Sequence, residues 1–397
     1  MRYVCGCFLT VGRVFYAFKE YFKIFTVIDK KDMKNKTVYI LGAGFSIEAG
    51  APLQSKIVED IFQLSILKPE LFKRGDIIKF KNFLNKTLNI PQTLHSKVPL
   101  EDIFTPLDRC LADNLSFRDL NIEEIKKTRE LIYHLIGITL RHNLQGVNKC
   151  YVDKFANYLF DLCKVRKNNN YGKIDSVSVI STNWDILLDN SVNEIIRNSG
   201  ENAVVDYCCY ISSHKFDDHK VKPGLEILGQ GGFNIKLLKV HGSYNWLQCP
   251  RCLRVYVAFD EKIAVGQYYD RLQCRHCNKN FKAQTSHILT SNLIMPTFLK
   301  DFSNPQYKLI WQNAGVELAE ASRIVFIGYS LPQADFEMRQ LLSRMVRSDA
   351  KIEVVTRGEY GKPSTEEVVE RYSVFFGNRE PVFFLDGTKH YIEDNLK

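Results

Sequence analysis

The run Val38-Tyr-Ile-Leu-Gly42-Ala-Gly44-Phe-Ser46-Ile-Glu-Ala-Gly50-Ala-Pro52 constrains the fold more than any other part of this sequence. Its apolar start reads as a strand, Gly42 to Gly44 as a tight turn, and the residues after Ser46 as the opening of a helix. Such a turn brings backbone N–H groups close to a bound anion, and a helix N-terminus favours negative charge. Glycine permits that close approach, but glycine turns after strands are also ordinary punctuation. Phosphate binding and a purely structural turn therefore both stand until the other segments are read.

Apolar, β-rich runs recur at Thr37–Leu41, Ser176–Ser181, Leu237–Val240, Arg323–Ile327 and Lys351–Val355, separated by stretches of helical periodicity. This pattern predicts an α/β fold with a Rossmann-like parallel sheet. Residues 61–175 read as a mainly helical insertion that covers the nucleotide cleft, with Ile122, Ile125, Ile132, Leu135, Ile136 and Leu140 near helical spacing. Asn121 and, three residues on, Glu124 form a capping pair at its start. Residues 247–282 leave and re-enter the α/β pattern as a small zinc-ribbon module. Lys167–Gly172 and Ser199–Asn202 read as exposed loop and turn.

A chain of 397 residues with 45% apolar content can bury a substantial core. Its formal charge of +9 is spread along the sequence without a long basic block, so a dinucleotide is anion enough and nucleic acid is not the expected partner. Residues 1–32 are aromatic-rich and net basic, through Arg2, Arg13, Lys19, Lys23, Lys30 and Lys31 against Glu20, Asp29 and Asp32. Charges break the apolar stretch Phe8–Ile28, which excludes a spanning helix or a signal-peptide core. Met33 precedes the first strand closely, so residues 1–32 read either as an over-long translation start or as an amphipathic arm, and 33–397 as the nucleotide-binding domain. The cysteine count is odd at eleven, which disfavours a secreted disulfide framework and points to a reducing, cytoplasmic setting. Cys208 and Cys209 then serve ordinary packing.

Four of these cysteines form two C-x-x-C pairs, Cys249-Pro-Arg-Cys252 and Cys274-Arg-His-Cys277, at ribbon spacing. They supply four soft ligands for a tetrahedral zinc ion. With every position filled by protein, the ion is structural. A zinc ribbon flanked by Arg251, Arg254, Arg271 and Arg275 is also a shape used on nucleic acids.

Three further segments end apolar strands as the first one does. They are Ser181-Thr182-Asn183-Trp184-Asp185, Lys239-Val240-His241-Gly242-Ser243 and Ile327-Gly328-Tyr329-Ser330-Leu331-Pro332, with Asp335 just beyond. In order, these segments and the first turn resemble the G-A-G-x-S, T-x-N-x-D, H-G and G-x-S-L signatures of the sirtuin superfamily, over most of the span from Val38 to Val355. The zinc cysteines fall where sirtuins carry their zinc module, so the resemblance favours a structural ion. It implies that NAD+ is bound as substrate, with Gly42, Ala43, Gly44 and Ser46 holding phosphates and Gly328 and Ser330 at the same cleft. Asn183 would position the ribose hydroxyls or a water, His241 would act as base, and Thr182 and Asp185 would contact the ribose or orient the loop. The bland readings stay beside these: Asn183 and Asp185 as caps of a helix starting near Ile186, His241 as a hydrogen-bonded structural histidine, and Ser330 as a strand exit. His95, His134 and His142 have no motif context and read as structural.

Two departures matter within that superfamily. Protein-deacylating members continue the first loop as G-I-P-D-F-R, whereas Pro52 is followed here by Leu53, Gln54 and Ser55. Their F-G-E segment after the zinc module is replaced by Leu293–Asp301. The sequence looks closer to the bacterial sirtuin-like NAD+ hydrolases of antiphage defence. That resemblance implies cleavage of NAD+ to nicotinamide and ADP-ribose, restrained by a homo-oligomer or a regulatory protein partner. An NAD-dependent protein-lysine deacylase and a non-catalytic NAD or ADP-ribose sensor are the alternatives.

Overall fold

The computed structural model describes residues 36–168, 175–213, 224–259, 268–281, 287–295, 297, 300 and 302–396. The segment 1–32, the stretch 169–172 and parts of 293–301 thus lie outside the described residues or only partly within them.

Seven strands form one all-parallel sheet: β1 (Thr37–Leu41), β2 (Val177–Ser181), β3 (Ala203–Asp206), β5 (Phe233–Lys239), β9 (Arg323–Ile327), β10 (Lys351–Val355) and β11 (Val382–Phe384). Their order is β11-β10-β9-β1-β2-β5-β3. The central strands read as continuous Val/Ile/Leu runs because helices cover both faces, and Val38 to Leu41 and Ile324 to Ile327 are buried without alternation. From β1 the chain passes to β2 on one side, then to β3 and β5, and returns across β1 to β9. That reversal opens a crevice at the carboxyl ends of β1 and its neighbours, the place where open parallel sheets bind ligands.

The register makes those ends level. Leu41 pairs with Ser181 on one side and Ile327 on the other, Ile327 with Val355, and Ser181 with Lys239. The ladder also continues past them: Thr182 N–H donates to Leu41 O at 2.9 Å, Gly42 N–H to Ile327 O at 3.0 Å and Gly328 N–H to Val355 O at 2.9 Å. Every loop leaving this edge therefore starts from a fixed position.

A second, four-stranded sheet is ordered β4-β7-β6-β8, from β4 (Ile211–Ser213), β6 (Gly242–Gln248), β7 (Val255–Val257) and β8 (Thr290–Leu293). Sequence pattern missed these strands, as well as β3 and β11. Five are only three or four residues long, and β6 is buried at Gly242 through Leu247, so it lacks the alternation that marks a half-exposed strand.

The interval 61–175 divides in two. Helices Ile57–Leu67, Arg74–Asn82, Leu100–Asp113 and Ile122–Asn143 build their own apolar core, including Phe62, Phe80, Phe104 and Leu135. Helix Cys150–Lys164 instead joins the core of the large sheet, through Phe155, Leu159 and Phe160. The start of Ile122–Asn143 carries a complete capping box: Glu124 N–H donates to Asn121 Oδ1 and Asn121 N–H to Glu124 Oε2.

Three glycines let the β1 and β9 loops meet backbone to backbone. A Cβ on Gly42 would lie 2.5 Å from Gly328 O, and one on Gly44 would lie 2.6 Å from Gly328 Cα. Gly328 has φ +62°, and a Cβ there would fall on the backbone of Gly44 and Phe45. Gly146 also has a positive φ, +70°, but faces open space. Gly146→Ala should cost about 1 kcal/mol, whereas Gly328→Ala adds an unrelievable backbone clash and should cost about 3 kcal/mol or more. Urea unfolding of the two variants checks this, and equal losses would show that the loop contact is soft.

Candidate active site

A cavity of about 470 Å³ opens at the level carboxyl ends of β10, β9, β1, β2 and β5. That volume lies within the usual range for small-molecule sites. Ala43, Gly44, Thr182, Asn183, Asp185, His241, Gly328 and Ser330 all line it. Gly42 and Ser46 do not: both are buried beneath the surface. Gly42 is wedged against Gly328 and Tyr329, and the Ser46 hydroxyl donates inward to Asp185 Oδ2 at 2.9 Å. The turn is thus narrower as a ligand surface than the sequence pattern predicts, because part of its chemistry is spent joining loops.

The first loop is held from several directions. Gly44 N–H donates to Gly328 O at 2.8 Å, Phe45 is buried, and Tyr151 Oη donates to Phe45 O at 2.6 Å. Residues 43–45 and 47–49 form short 3-10 turns in place of a regular helix. The long helix expected directly after the turn begins only at Ile57.

The loop after β2 is fixed just as tightly. Asn183 donates through Nδ2 to Gly42 O at 2.8 Å, and Thr182 Oγ1 donates to Leu41 O at 3.1 Å. Asp185 accepts Leu187 N–H on Oδ1 at 3.1 Å and the Ser46 hydroxyl on Oδ2. From the position before the N-cap Ile186, it therefore holds the first N–H of helix Leu187–Ser199 and also ties that helix start to the glycine loop. Burial raises the Asp185 carboxyl, opposed by Lys239, the Leu187 N–H and the Ser46 hydroxyl. Lys239, itself buried at the end of β5, donates to Asp185 O and sits 3.3 Å from Asp189 Oδ2. Tyr207 Oη completes that cluster on Asp189 Oδ1 at 2.8 Å.

His241 follows β5 and faces the cavity with its side chain 14% exposed. Its Nε2 lies 3.3 Å from Asp335 Oδ1 but makes no hydrogen bond in that orientation. The ring therefore stands beside a carboxylate at the edge of the cavity. Asp335 also receives Lys300 Nζ on Oδ1 and Tyr329 Oη on Oδ2, the latter at 2.8 Å. Burial alone would raise the Asp335 carboxyl; His241 and Lys300 more than offset this and hold it below the ordinary carboxylate range. Ser330 is exposed on the opposite loop, where its carbonyl accepts Arg371 Nη1 at 2.7 Å.

Sequence reasoning gave no site role to Lys300 or to the individual residues that close the cavity. Glu101, Ile57 and Leu140 arrive from the helical layer, and Thr356, Arg357 and Thr388 from the far side of the sheet. None lies in a motif. Arg357 had one available signal, its place two residues beyond the end of β10.

The four cysteines form a cluster in which all sulfur atoms lie within 4.8 Å of one another. Cys249 and Cys277 are 3.8 Å apart and Cys252 and Cys274 are 3.7 Å apart. A regular tetrahedron with ~2.3 Å Zn–S arms has edges of about 3.8 Å, so the geometry fits zinc. Cys249, Cys274 and Cys277 are buried, leaving no open coordination position for chemistry. A bound zinc supplies a cross-link between β6 and the turn before helix Arg275–Asn280.

No protein-family model and no curated protein matches the chain. Among solved structures it is similar to a Sir2 homolog in complex with NAD, at 14% identity over 93% of this chain and 92% of that one, with a TM-score of 0.43. A Sir2 homologue mutant with ADP-ribose aligns at 13% identity, 93% and 95% coverage, and a TM-score of 0.41. A Sir2 mutant with a p53 peptide and NAD aligns at 14% identity, 94% and 95% coverage, and a TM-score of 0.35. No helix among the described residues is long and apolar enough to cross a membrane.

Two outcomes are expected at this site. Purified protein should carry about one zinc per chain, released when a mercurial modifies the thiols, and Cys274→Ser should lose both the metal and several degrees of thermal stability. Four thiols that titrate freely with no metal released would contradict this. The depressed Asp335 carboxyl stabilises the fold fully above pH ~3.9, and that contribution is lost progressively as pH falls from there toward the much lower folded value. Asp335→Asn should therefore reduce stability at neutral pH and flatten the limb below pH ~3.9, as read by chemical unfolding in buffers from about pH 2 to 7.

Proposed function

We propose that the chain is a sirtuin-like NAD+ glycohydrolase of the cytoplasm, which releases nicotinamide and ADP-ribose and whose consumption of NAD+ serves defence against phage. The observation that carries this reading is the convergence of Asn183, His241 and the Gly44–Gly328 contact on one cavity, from four separate strand ends. Those segments resemble the ordered sirtuin signatures, and a glycine turn beside a histidine base suits a dinucleotide with a scissile glycosidic bond.

The chemistry asks little of the protein beyond placement. Nicotinamide leaves as a neutral molecule from a pyridinium, so its departure needs no acid. The C1′–N bond breaks with its electron pair on nicotinamide, a water oxygen bonds to C1′, and the water proton passes to His241. Asn183, fixed by its bond to Gly42 O, orients the ribose or the water. The Asp335 carboxylate beside His241 stabilises the imidazolium formed when the base takes that proton. Two sequence departures favour hydrolysis over deacylation: the missing Phe-Arg after Pro52, and the replacement of the F-G-E segment. An oligomeric contact or protein partner would restrain the activity between infections.

Incubation with NAD+, alone, with acetylated peptide and with phage lysate, separates the readings by whether nicotinamide appears. Release without peptide, lowered about 100-fold or more by His241→Ala and Asn183→Ala, is the expected result. Release that requires peptide marks a deacylase. Measurable NAD+ binding with no release under any condition marks a sensor.

A further inference from the structure

Lys300 lines the cavity, yet its side chain is only 2% exposed and carries its charge into the protein. It arrives from the segment after β8 and reaches two carboxylates at the start of helix Phe336–Met345. Nζ donates to Asp335 Oδ1 and, at 2.6 Å, to Glu337 Oε2. Asp335 Oδ1 is also the oxygen that lies 3.3 Å from His241 Nε2, while Tyr329 Oη donates to Oδ2 at 2.8 Å. Two cationic groups, one permanent and one that gains its charge with a proton, thus converge on a single carboxylate oxygen. Glu337 is 27% exposed and has water for part of its charge; Asp335, at 6%, depends on its protein partners.

Building on the glycohydrolase reading, we infer that Lys300 is a positioning residue for the base: it neutralises the buried Asp335 carboxylate, so that His241 meets the substrate without a proton. A general base has to start the reaction neutral. A carboxylate as buried as Asp335 draws positive charge to itself, and Tyr329 offers only a neutral hydroxyl. Burial and the Asp335 charge both hold that hydroxyl well above its usual range, so it stays a donor. Without Lys300, the nearest charge able to answer Asp335 would be an imidazolium, and a base that already holds its proton cannot take one from water. With Lys300 on the same oxygen, Asp335 is ionised in advance and still lies beside the ring when the water proton arrives. The state of that carboxyl agrees: burial pushes it up, and His241 and Lys300 together bring it below the ordinary range. The other charged groups nearby are engaged elsewhere. Lys239 bonds Asp185 O and Asp189, and Arg339 Nη1 donates to Leu331 O at 3.1 Å. Helix Pro305–Glu320 turns the uncharged Trp311 ring toward His241, at 6.3 Å. The plain alternative is a tether, in which Lys300 only pins the segment after β8 to helix Phe336–Met345.

The test follows kcat/KM for NAD+ against pH in the wild type, Lys300→Met and Lys300→Arg, alongside the titration of the His241 ring. NMR of protein carrying isotope-labelled histidine reads that titration, with the resonance assigned through His241→Ala. Loss of the Lys300 charge favours the protonated ring, so in Lys300→Met the acid limb and the ring midpoint should both move up by about one pH unit or more. Activity on that limb then falls about tenfold and is regained on the alkaline side. Lys300→Arg, which keeps the charge, should return the limb most of the way. A tether predicts otherwise: a loss equal at every pH, or a midpoint unmoved in folded Lys300→Met, overturns the inference. If Lys300→Met does not fold, Glu337→Gln decides. Removing the carboxylate that competes for Lys300 should lower the ring midpoint by roughly half a unit, and a midpoint that stays or rises overturns the inference. The ring titration needs no turnover, so a midpoint governed by Lys300 in a chain that never releases nicotinamide would sink the glycohydrolase reading and leave the charge assignment standing.

Discussion

The contact on which the rest of the site depends is the meeting of Gly42 and Gly44 with Gly328, where two loops from adjacent strands touch through their backbones. Parallel strands sit about 4.8 Å apart, so any side chain between their loops would push them open. Here Cβ atoms at Gly42 and Gly44 would lie 2.5–2.6 Å from the facing chain. With those atoms absent, Gly44 N–H reaches Gly328 O, and Asn183 reaches Gly42 O from the other side. The glycines thus assemble the cleft before any ligand arrives. Of the three glycines, Gly44 and Gly328 still line the cavity.

Asp185 and Lys239 extend that constraint to the next two strands. A buried lysine needs carbonyls and carboxylates around it, and Lys239 finds them in Asp185 O and Asp189. By satisfying itself it locks the Thr182–Asp185 loop over the end of β5, next to His241. The same principle applies at Asp335, where Lys300, Tyr329 and His241 share one carboxylate. Burial explains both clusters, because Lys239 and Asp335 are each held by partners that also hold a neighbouring loop.

The two additions to the sheet do different work. The helical layer, with its own apolar core, supplies a wall that meets the cavity through Ile57, Glu101 and Leu140. The cysteine cluster is spaced for one tetrahedral ion and cross-links the small sheet away from that cavity, since none of its ligands lines it. Arginines around the ribbon had raised a nucleic-acid reading. Part of that charge is engaged locally: Arg251 lies over the Phe281 ring and Arg271 bonds Glu130.

Sequence alone determined the elements whose signals are local. Five strands of the large sheet carry mostly apolar runs of five or more residues, the Asn121–Glu124 box needs only its own four residues, and the C-x-x-C pairs declare a metal by spacing. The motif residues were legible for the same reason: each directly follows a strand. What those residues touch was not legible. Pattern could not tell that Ser46 turns away from the cavity toward Asp185, because that bond joins positions 139 residues apart. Nor could it find Lys300, Glu101 or Arg357, each an ordinary charged residue in its own neighbourhood. The short strands of the second sheet likewise exist only by pairing. Sequence fixed where the chain can turn and bind, through local backbone and side-chain chemistry; tertiary structure decided which groups share the cavity, because only the level strand ends and close-packed loops bring such distant residues together.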